Sequence, residues 1–434
     1  MKKQAKCMIL HKRPGTGIII GMTSPAHSAS PHTSIEAKTC LSRAPLPDAF
    51  LVSLYRALAP YRGCAHGCAY CDGRAEKYYV EGDFARDIAV RENLAELAVR
   101  DAGAGFTARE YGAICIGSGV TDVYQPLERE LGLTRRTLEA LAETGVPIVI
   151  LTKNDLILRD FDVLARFPHA LVIVTVTTVN GTDAARLEPG ASPAASRLAV
   201  VREAKARGFS SGVMAMPLCP GISDSDESFT AVLSAAKDAG ADFVYPGGLT
   251  LRPGCQKDLF LSLVDEHYPA LRADYDMLYG ENRQSGMPRA DRSTHFHARL
   301  DRLGRQFGLA QRIPFRVYRR LLSAPDALFV LFCHMQHLYA LRGVDTRPLK
   351  AATDRYAGWL SGERTALRRK RIPVVSSDPF PLTRILDERF GDLLTGTGGE
   401  RSLAAILENE RLASLASAVL KDGADFDYGS LAVV

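Results

Sequence analysis

Short apolar runs alternate with amphipathic stretches through the middle of this 434-residue chain, from about residue 46 onward. This alternation is typical of repeated βα units built around a parallel sheet. The predicted strands are residues 50–55, 111–116, 146–151, 171–176, 211–216 and 242–245. Six strands with five intervening helices favour a partial α/β barrel over a closed barrel of eight units.

Two of the intervening segments predict helices with defined bounds. One carries four leucines on a single face, a spacing that fits a helix packed against a sheet. Those leucines are Leu127, Leu131, Leu138 and Leu141. The other begins at Ser192 and Pro193, which suit the N-cap and the first turn, and ends at Gly208, which suits the C-cap.

Each of the last four predicted strands is followed by polar or glycine-rich sequence. These segments are residues 152–154, 177–180, 217–221 and 246–250. The carboxyl ends of parallel strands meet at one edge of the sheet, and ligands bind there. We therefore expect the functional site at that edge.

The chain is predicted to have three parts. Residues 1–35 mix Ser, Pro, His, Gly and Thr without periodicity, which predicts a disordered leader. Residues 36–255 carry the strand signals of the partial barrel. Helical patterns dominate residues 256–434, so the predicted fold class is α/β, a partial barrel with a mostly helical C-terminal extension.

Three of the nine cysteines lie in one glycine-punctuated loop after the first predicted strand: Cys64, Cys68 and Cys71. A C-x3-C-x2-C loop keeps its sulfurs on one side and is suited to a compact, soft metal centre. A four-iron cluster with only three Cys ligands leaves one iron open to a substrate or cofactor. Zinc, bound with His66 or a remote fourth ligand, is the alternative, although no second C-x2-C half is present.

The pattern C-x3-C-x-aromatic-C, with Tyr70 as the aromatic residue, resembles the cluster motif of the radical S-adenosylmethionine (radical SAM) superfamily. The resemblance implies a [4Fe-4S] cluster on Cys64, Cys68 and Cys71, the catalytic centre, with SAM chelated to the open iron. It implies an enzyme in which an electron from the reduced cluster cleaves SAM to methionine and a 5'-deoxyadenosyl radical. It also implies a partial (β/α)6 barrel, in agreement with the strand count.

Further segments resemble the spore photoproduct lyase-like branch of that superfamily and its uncharacterised bacterial relatives. They include residues 117–122, 151–153, 174–178 and 187–189. In that branch two hydroxyl residues and a lysine contact SAM, and the matching positions are Thr121, Thr175 and Lys153. The resemblance places Tyr70 near the adenine, and Asp122 would orient a ligand or cap a helix.

These positions also have structural readings. An ammonium at a strand's carboxyl end suits the methionyl carboxylate, but Lys153 would equally be a solvated surface lysine. Threonine is common in strands for its shape alone, which weakens the case for Thr121 and Thr175. Tyr70 would equally be a loop aromatic packed into the core.

The sequence departs from the photoproduct lyases at one position. Those enzymes carry a cysteine just before the hydroxyl residue of the second-strand loop, and Gly119 stands there in this chain. The departure argues against thymine-dimer repair by the same route. Cys219 and Cys255 are candidate hydrogen-atom donors, although a lone cysteine is more often a small buried apolar residue.

Two basic runs lie in the extension, residues 364–371 and the set Arg312, Arg316, Arg319 and Arg320. With the net charge of +5 they make nucleic acid a candidate substrate, unless they are solvated faces. A peptide or small molecule is the alternative substrate, and a non-catalytic iron-sulfur or zinc binding module is the alternative of another class. His334 and His337 lie three residues apart in a predicted helix. They would be either ligands of a metal ion or satisfied histidines of the core or surface.

Cysteine usage and hydropathy bear on location. The nine cysteines are few for the chain length and predict reduced thiols in a cytoplasmic protein. No apolar run approaches the roughly 18 residues that a membrane-spanning helix needs, so no membrane contact is expected. The resemblance implies a reducing electron donor as partner, such as a flavodoxin or ferredoxin.

Overall fold

The structure is a computed structural model that describes residues 32–78, 82–103, 109–117, 120–370, 372–397 and 402–434. Most of the predicted leader lies outside these residues, as do Gly119 and Arg371. The strands are β1 (Thr33–Ser34), β2 (Leu41–Asp48), β3 (Ser53–Ala57), β4 (Tyr61–Arg62), β5 (Ala89–Val90), β6 (Ile114–Ile116), β7 (Ile148–Thr152), β8 (Ala170–Thr175), β9 (Ser210–Leu218), β10 (Val244–Gly248), β11 (Phe426–Asp427) and β12 (Ala432–Val433).

The helices before residue 300 connect or cover the strands, and those after it make up most of the extension. They are α1 (Leu94–Gly103), α2 (Glu128–Leu131), α3 (Leu133–Ala142), α4 (Phe161–Leu164), α5 (Gly181–Leu187), α6 (Ala194–Ala206), α7 (Asp226–Asp238), α8 (Cys255–His267), α9 (Arg272–Tyr279), α10 (Ala290–Gln306), α11 (Phe315–Tyr318), α12 (Ala324–Leu341), α13 (Arg347–Arg368), α14 (Pro381–Thr395), α15 (Leu403–Leu407) and α16 (Glu410–Leu420). No helix among the described residues has the length and apolarity to cross a membrane.

The central sheet has seven strands in the order β10-β9-β8-β7-β6-β3-β2. Six of them, from β3 to β10, run parallel, and β2 pairs antiparallel with β3 at the edge. The six parallel strands are the predicted ones, each within three residues of its predicted bounds. The predicted partial (β/α)6 barrel is therefore confirmed, and β2 is an addition that the strand count did not include.

The two faces of the sheet bury different parts of the chain, because successive side chains of a strand point to opposite faces. Val172 and Val174 pack in the outer core with residues of the crossover helices, such as Leu138 of α3. Leu171 and Ile173 pack in a second core with residues of α11 to α16. The helical extension thus packs against part of the concave face of the barrel.

The predicted leucine-lined helix is wrong as a single helix. Gly132 adopts φ of +60°, which ends α2 before α3 begins. Leu138 and Leu141 lie in the outer core, whereas Leu127 and Leu131 pack against a small separate cluster around Tyr61. A left-handed glycine rotates the two helices relative to each other, so the four leucines do not share one face.

The helix predicted to have Ser192 as its N-cap has Pro193 there instead, one residue later. The Ser192 hydroxyl bonds instead with Asp155, accepting from its N–H at 3.0 Å and donating to its carboxylate at 2.8 Å. The predicted stop is correct, since α6 ends at Ala206 and Gly208 has φ of +80°.

Acidic partners neutralise part of the basic run at 364–371. The buried Arg364 guanidinium donates to both Asp326 carboxylate oxygens, at 2.8 and 2.6 Å, and to the Pro45 carbonyl at 2.7 Å. Arg368 donates to the Glu110 carboxylate at 2.6 Å. These arginines tie α13 to β2 and to the segment before β6, so they are not a free basic surface.

The two histidines of α12 take different partners. His334 is buried between the Tyr428 hydroxyl at 2.8 Å from Nδ1 and the Ala49 carbonyl at 2.7 Å from Nε2, which makes it a satisfied core histidine. His337 bonds through Nε2 to Arg312. Within the described ranges, no three Cys, His, Asp or Glu side chains are grouped to hold one metal ion.

We predict that Arg364→Leu lowers the free energy of unfolding by about 3–5 kcal/mol, because it leaves the carboxylates of Asp326 and Glu110 buried without this cation. Equilibrium urea denaturation measures the change. Arg347→Gln in the same helix is the control, since the Arg347 side chain is 90% exposed, and should change stability by less than about 0.5 kcal/mol. Equal losses in the two variants would contradict a structural role for Arg364.

Candidate cluster and cofactor site

The three-cysteine loop follows β3 at the carboxyl edge of the parallel strands. Backbone bonds hold it there: the Cys64 N–H donates to the Phe84 carbonyl and the Ala69 N–H to the Leu187 carbonyl, both at 2.9 Å. Gly63 has φ of +86°, and a Cβ on it would lie 2.9 Å from the Phe84 carbonyl oxygen, so this turn requires glycine. The expected location of the functional site is thus occupied by the expected loop.

The three thiols are buried beside one another. Cys64 and Cys68 are each 6% exposed, Cys71 is half-buried, and none is in a disulfide. Burial raises the pKa of Cys64 to about 12, and the neighbouring Asp122 and Cys71 add to this effect. Burial also raises the pKa of Cys68 and Cys71, while the charge of Lys153 opposes the rise at both. A bound metal would therefore be needed to ionise these thiols.

The donor set fits a cluster better than a single ion. In a four-iron cluster each of three thiolates binds a different iron, so the thiolates need not converge on one point. His66, the alternative zinc ligand, is 1% exposed and faces Asn154 Nδ2 at 3.2 Å and Asp122 Oδ2 at 3.5 Å. It anchors the loop to the barrel.

Asp122 joins three loops of the carboxyl edge. Its Oδ1 accepts from the Thr152 hydroxyl at 2.8 Å, and its Oδ2 accepts from the Lys153 N–H at 2.7 Å and faces His66. Thr121 donates its hydroxyl to the Gly63 carbonyl at 2.6 Å. Asp122 and Thr121 therefore position the cysteine loop, and their predicted contacts to SAM stay predictions.

Lys153 presents a free ammonium next to the loop. Its Nζ lies 5.8 Å from the centre of the Tyr70 ring, and no carboxylate in the described part of the chain is within ion-pair distance. Its charge acts on Cys68 and Cys71, which places it near the thiols. An unpaired ammonium at this position is available to a ligand carboxylate.

A buried ion pair, which the sequence analysis missed, holds Tyr70. Glu188 and Arg197 are each 1% exposed at the side chain, with Oε2 and Nη2 2.6 Å apart. The Tyr70 hydroxyl donates to Glu188, and Arg197 donates to the Thr175 carbonyl at 2.6 Å. Burial alone would raise the pKa of Glu188, but Arg197 and Lys153 hold it below its ordinary value. Arg197 lies on a predicted helix, where a charged residue gives no sign of burial.

Residues at the end of the predicted barrel and just beyond it also support the loop. Gln256 of α8 donates to the Tyr70 carbonyl at 2.9 Å, and Arg252 donates to Asp72 at 2.6 Å. Within the loop, Arg74 donates to the carbonyls of Cys68 and Gly67, both at 3.0 Å. A glutamine and two arginines beside a motif carry no distinctive pattern, so sequence reasoning did not find them.

The candidate hydrogen-atom donors lie in different surroundings. Cys219 is fully buried in an apolar cluster with Tyr70 and Phe260, and burial raises its pKa above the ordinary value. Cys255 is the first residue of α8 and is half-buried. Gly119, at the lyase donor position, lies outside the described residues.

We predict that Gly190→Ala displaces the cysteine loop. The Gly190 N–H donates to the His66 carbonyl at 2.9 Å, and a Cβ on Gly190 would lie 2.5 Å from the Ala65 carbonyl oxygen. Such a clash should cost about 1–3 kcal/mol of unfolding free energy, measured by urea denaturation. Gly181→Ala is the control, because its Cβ would meet nothing within 4 Å, and it should not destabilise the chain. Unchanged stability of Gly190→Ala would show that the loop is not packed this closely.

Comparisons with known proteins agree with this geometry. A family model described as the radical SAM superfamily matches residues 58–232, which confirms the predicted membership. An uncharacterised protein of Mycobacterium tuberculosis is 28% identical over 270 residues, covering 61% of this chain and 78% of that protein. A radical SAM Nalpha-GlyT isomerase of Pseudomonas phage M6 is 26% identical over 196 residues, covering 44% of this chain and 36% of that protein.

Among solved structures, a spore photoproduct lyase mutant with bound AdoMet and dinucleoside spore photoproduct gives a TM-score of 0.49 at 16% identity. The match covers 64% of this chain and 79% of the lyase.

Proposed function

Residues 58–232 belong to the radical SAM superfamily, so the chain is an enzyme of that class, and we propose that it acts through a [4Fe-4S] cluster on Cys64, Cys68 and Cys71. The observation that carries the proposal is three buried thiols of one loop beside an unpaired ammonium at the carboxyl edge of the barrel. When bound, the cluster supplies the electron that cleaves SAM to methionine and a 5'-deoxyadenosyl radical, which takes a hydrogen atom from substrate.

The protein's own groups would bind and orient SAM. Lys153 would bind the methionyl carboxylate, because its ammonium has no carboxylate partner of its own. Tyr70 would lie near the adenine, and Thr175 beside it at the end of β8. Thr121 and Asp122 would act through the loops that they fasten. A flavodoxin or ferredoxin would reduce the cluster in the cell.

We predict that the chain, reconstituted anaerobically with iron and sulfide, binds about four irons and forms 5'-deoxyadenosine from SAM after reduction with dithionite. Changing Cys64, Cys68 or Cys71 to Ala should abolish the binding of four irons and the formation of 5'-deoxyadenosine, since each variant lacks one iron ligand. Cys333→Ala, at a half-buried cysteine of α12, is the control and should retain both. Metal analysis, electron paramagnetic resonance and chromatography of the nucleoside are the measurements.

Two outcomes would contradict this proposal in different ways. A four-iron spectrum without any 5'-deoxyadenosine would favour a non-catalytic iron-sulfur binding module. One bound zinc and no iron would exclude SAM cleavage.

Nucleic acid is our proposed substrate class to test first, with a peptide or small molecule as the alternative. The basic side chains of residues 364–371 that are exposed in the described ranges are those of Arg369 and Lys370. Arg364 and Arg368 serve the fold instead.

We predict salt-sensitive retention of the protein on immobilised single-stranded or duplex DNA, because phosphate contacts release counterions. Changing Arg369 and Lys370 together to Gln should lower the salt concentration needed for elution. Lys350→Gln, at an exposed lysine of α13 paired with Asp354, is the control. Failure of the unmodified protein to bind at low salt would contradict a nucleic-acid substrate.

A further inference from the structure

Arg312 lies against the concave face of the barrel, on Tyr245, which shares a row of the sheet with Thr175, a predicted SAM contact. Thr175 of β8 is in register with Met214 of β9, and Met214 with Tyr245 of β10. Neighbouring strands are about 4.8 Å apart, so Tyr245 lies about 10 Å across the sheet from Thr175. Met214 and Tyr245 both belong to the inner core. The Arg312 guanidinium carbon is 4.1 Å from the centre of the Tyr245 ring.

The Arg312 guanidinium has no acidic partner. Its Nη1 donates to the Gln311 carbonyl at 3.0 Å, and its Nη2 bonds to His337 Nε2. No carboxylate of the described residues is within ion-pair distance of it, although Arg197 and Arg364 of the same chain are both paired with carboxylates. A guanidinium has five N–H donors, so this one keeps donors for a ligand.

The histidine rings near Arg312 carry no charge, and the nearby carboxylate of Asp301 is paired with Arg305 and Arg342. Burial and the nearby Arg312 charge lower the pKa of His337 to about 3 and lower that of His297, so both rings are neutral near pH 7. The His297 ring is 6.5 Å from that of His337 and 5.1 Å from that of Phe296. The Arg312 guanidinium thus contacts the rings of Tyr245 and His337, and it remains partly exposed to solvent.

Desolvating a charge without a counterion is unfavourable, and the ring of Tyr245 offsets this only in part. Lys153, the other unpaired cation described above, stands where a SAM carboxylate would bind. Arg312 lies against the concave face, on the ring of Tyr245 of β10. A guanidinium in an aromatic setting matches a planar oxyanion in geometry and charge.

We propose that Arg312 binds a carboxylate or phosphate group of the substrate on the concave face of the barrel. The substrate part of this inference rests on the proposed function, whereas oxyanion binding by Arg312 does not. His337 orients the guanidinium through a bond to Nη2, and the Tyr245 ring packs against the guanidinium. The substrate would then lie between this anchor and SAM at Lys153.

The test is calorimetric titration of the full reconstituted chain, without SAM, with inorganic phosphate and with acetate at constant ionic strength. One of the two anions should bind to the unmodified protein, and the tighter one identifies the group. Arg312→Gln should weaken binding by about 10-fold or more, because a charge-assisted pair is lost. Arg319→Gln, at an exposed neighbouring arginine, is the control and should bind as the unmodified protein does.

Arg312→Lys covers the case in which Arg312→Gln does not fold, since it keeps the charge and loses the planar fork. It should bind the anion more weakly than the unmodified protein. No anion binding by the unmodified protein, or equal binding by the Arg312 and Arg319 variants, would overturn the inference. Anion binding by a chain that forms no 5'-deoxyadenosine would refute the proposed function alone.

Discussion

Parallel pairing brings the carboxyl ends of six strands to one edge, and the candidate site depends on that constraint. The cysteine loop leaves β3 at this edge, and Asp122, which faces His66 of that loop, accepts from the Lys153 N–H after β7. Glu188 and Arg197 bond the cysteine loop to the end of β8 and to α6. Because these partners come from separate βα units, the loop is held in place only when the whole barrel has formed.

The buried charges fall into two groups with different consequences. Glu188 with Arg197, and Asp326 with Arg364, are paired, so their removal costs stability without supplying a ligand site. Lys153 and Arg312 have no carboxylate partner in the described residues; Lys153 lies at the carboxyl edge of the barrel, and Arg312 lies against its concave face. The paired charges therefore stabilise the fold, whereas the unpaired charges are available to bind a ligand.

The strands and the cysteine loop could be predicted because each rests on local sequence. The runs at β7 and β8 are apolar enough to be buried on both faces, and three cysteines in eight residues have few other uses. The break at Gly132 could not be predicted, since a glycine inside a helical pattern is tolerated as often as it ends a helix. From the sequence, Arg364 is expected at the surface. It is buried because it pairs with Asp326 and Glu110, which come from distant segments of the chain.

The position of the extension limits how a substrate would approach. His334 of α12 bonds to the Ala49 carbonyl, and the Ala113 N–H donates to the Leu321 carbonyl at 2.8 Å, both before the parallel strands begin. These contacts place the extension under the amino ends of the barrel, while its apolar residues fill the lower concave face. A substrate anchored at Arg312 would then extend along the concave face towards Lys153 at the carboxyl edge.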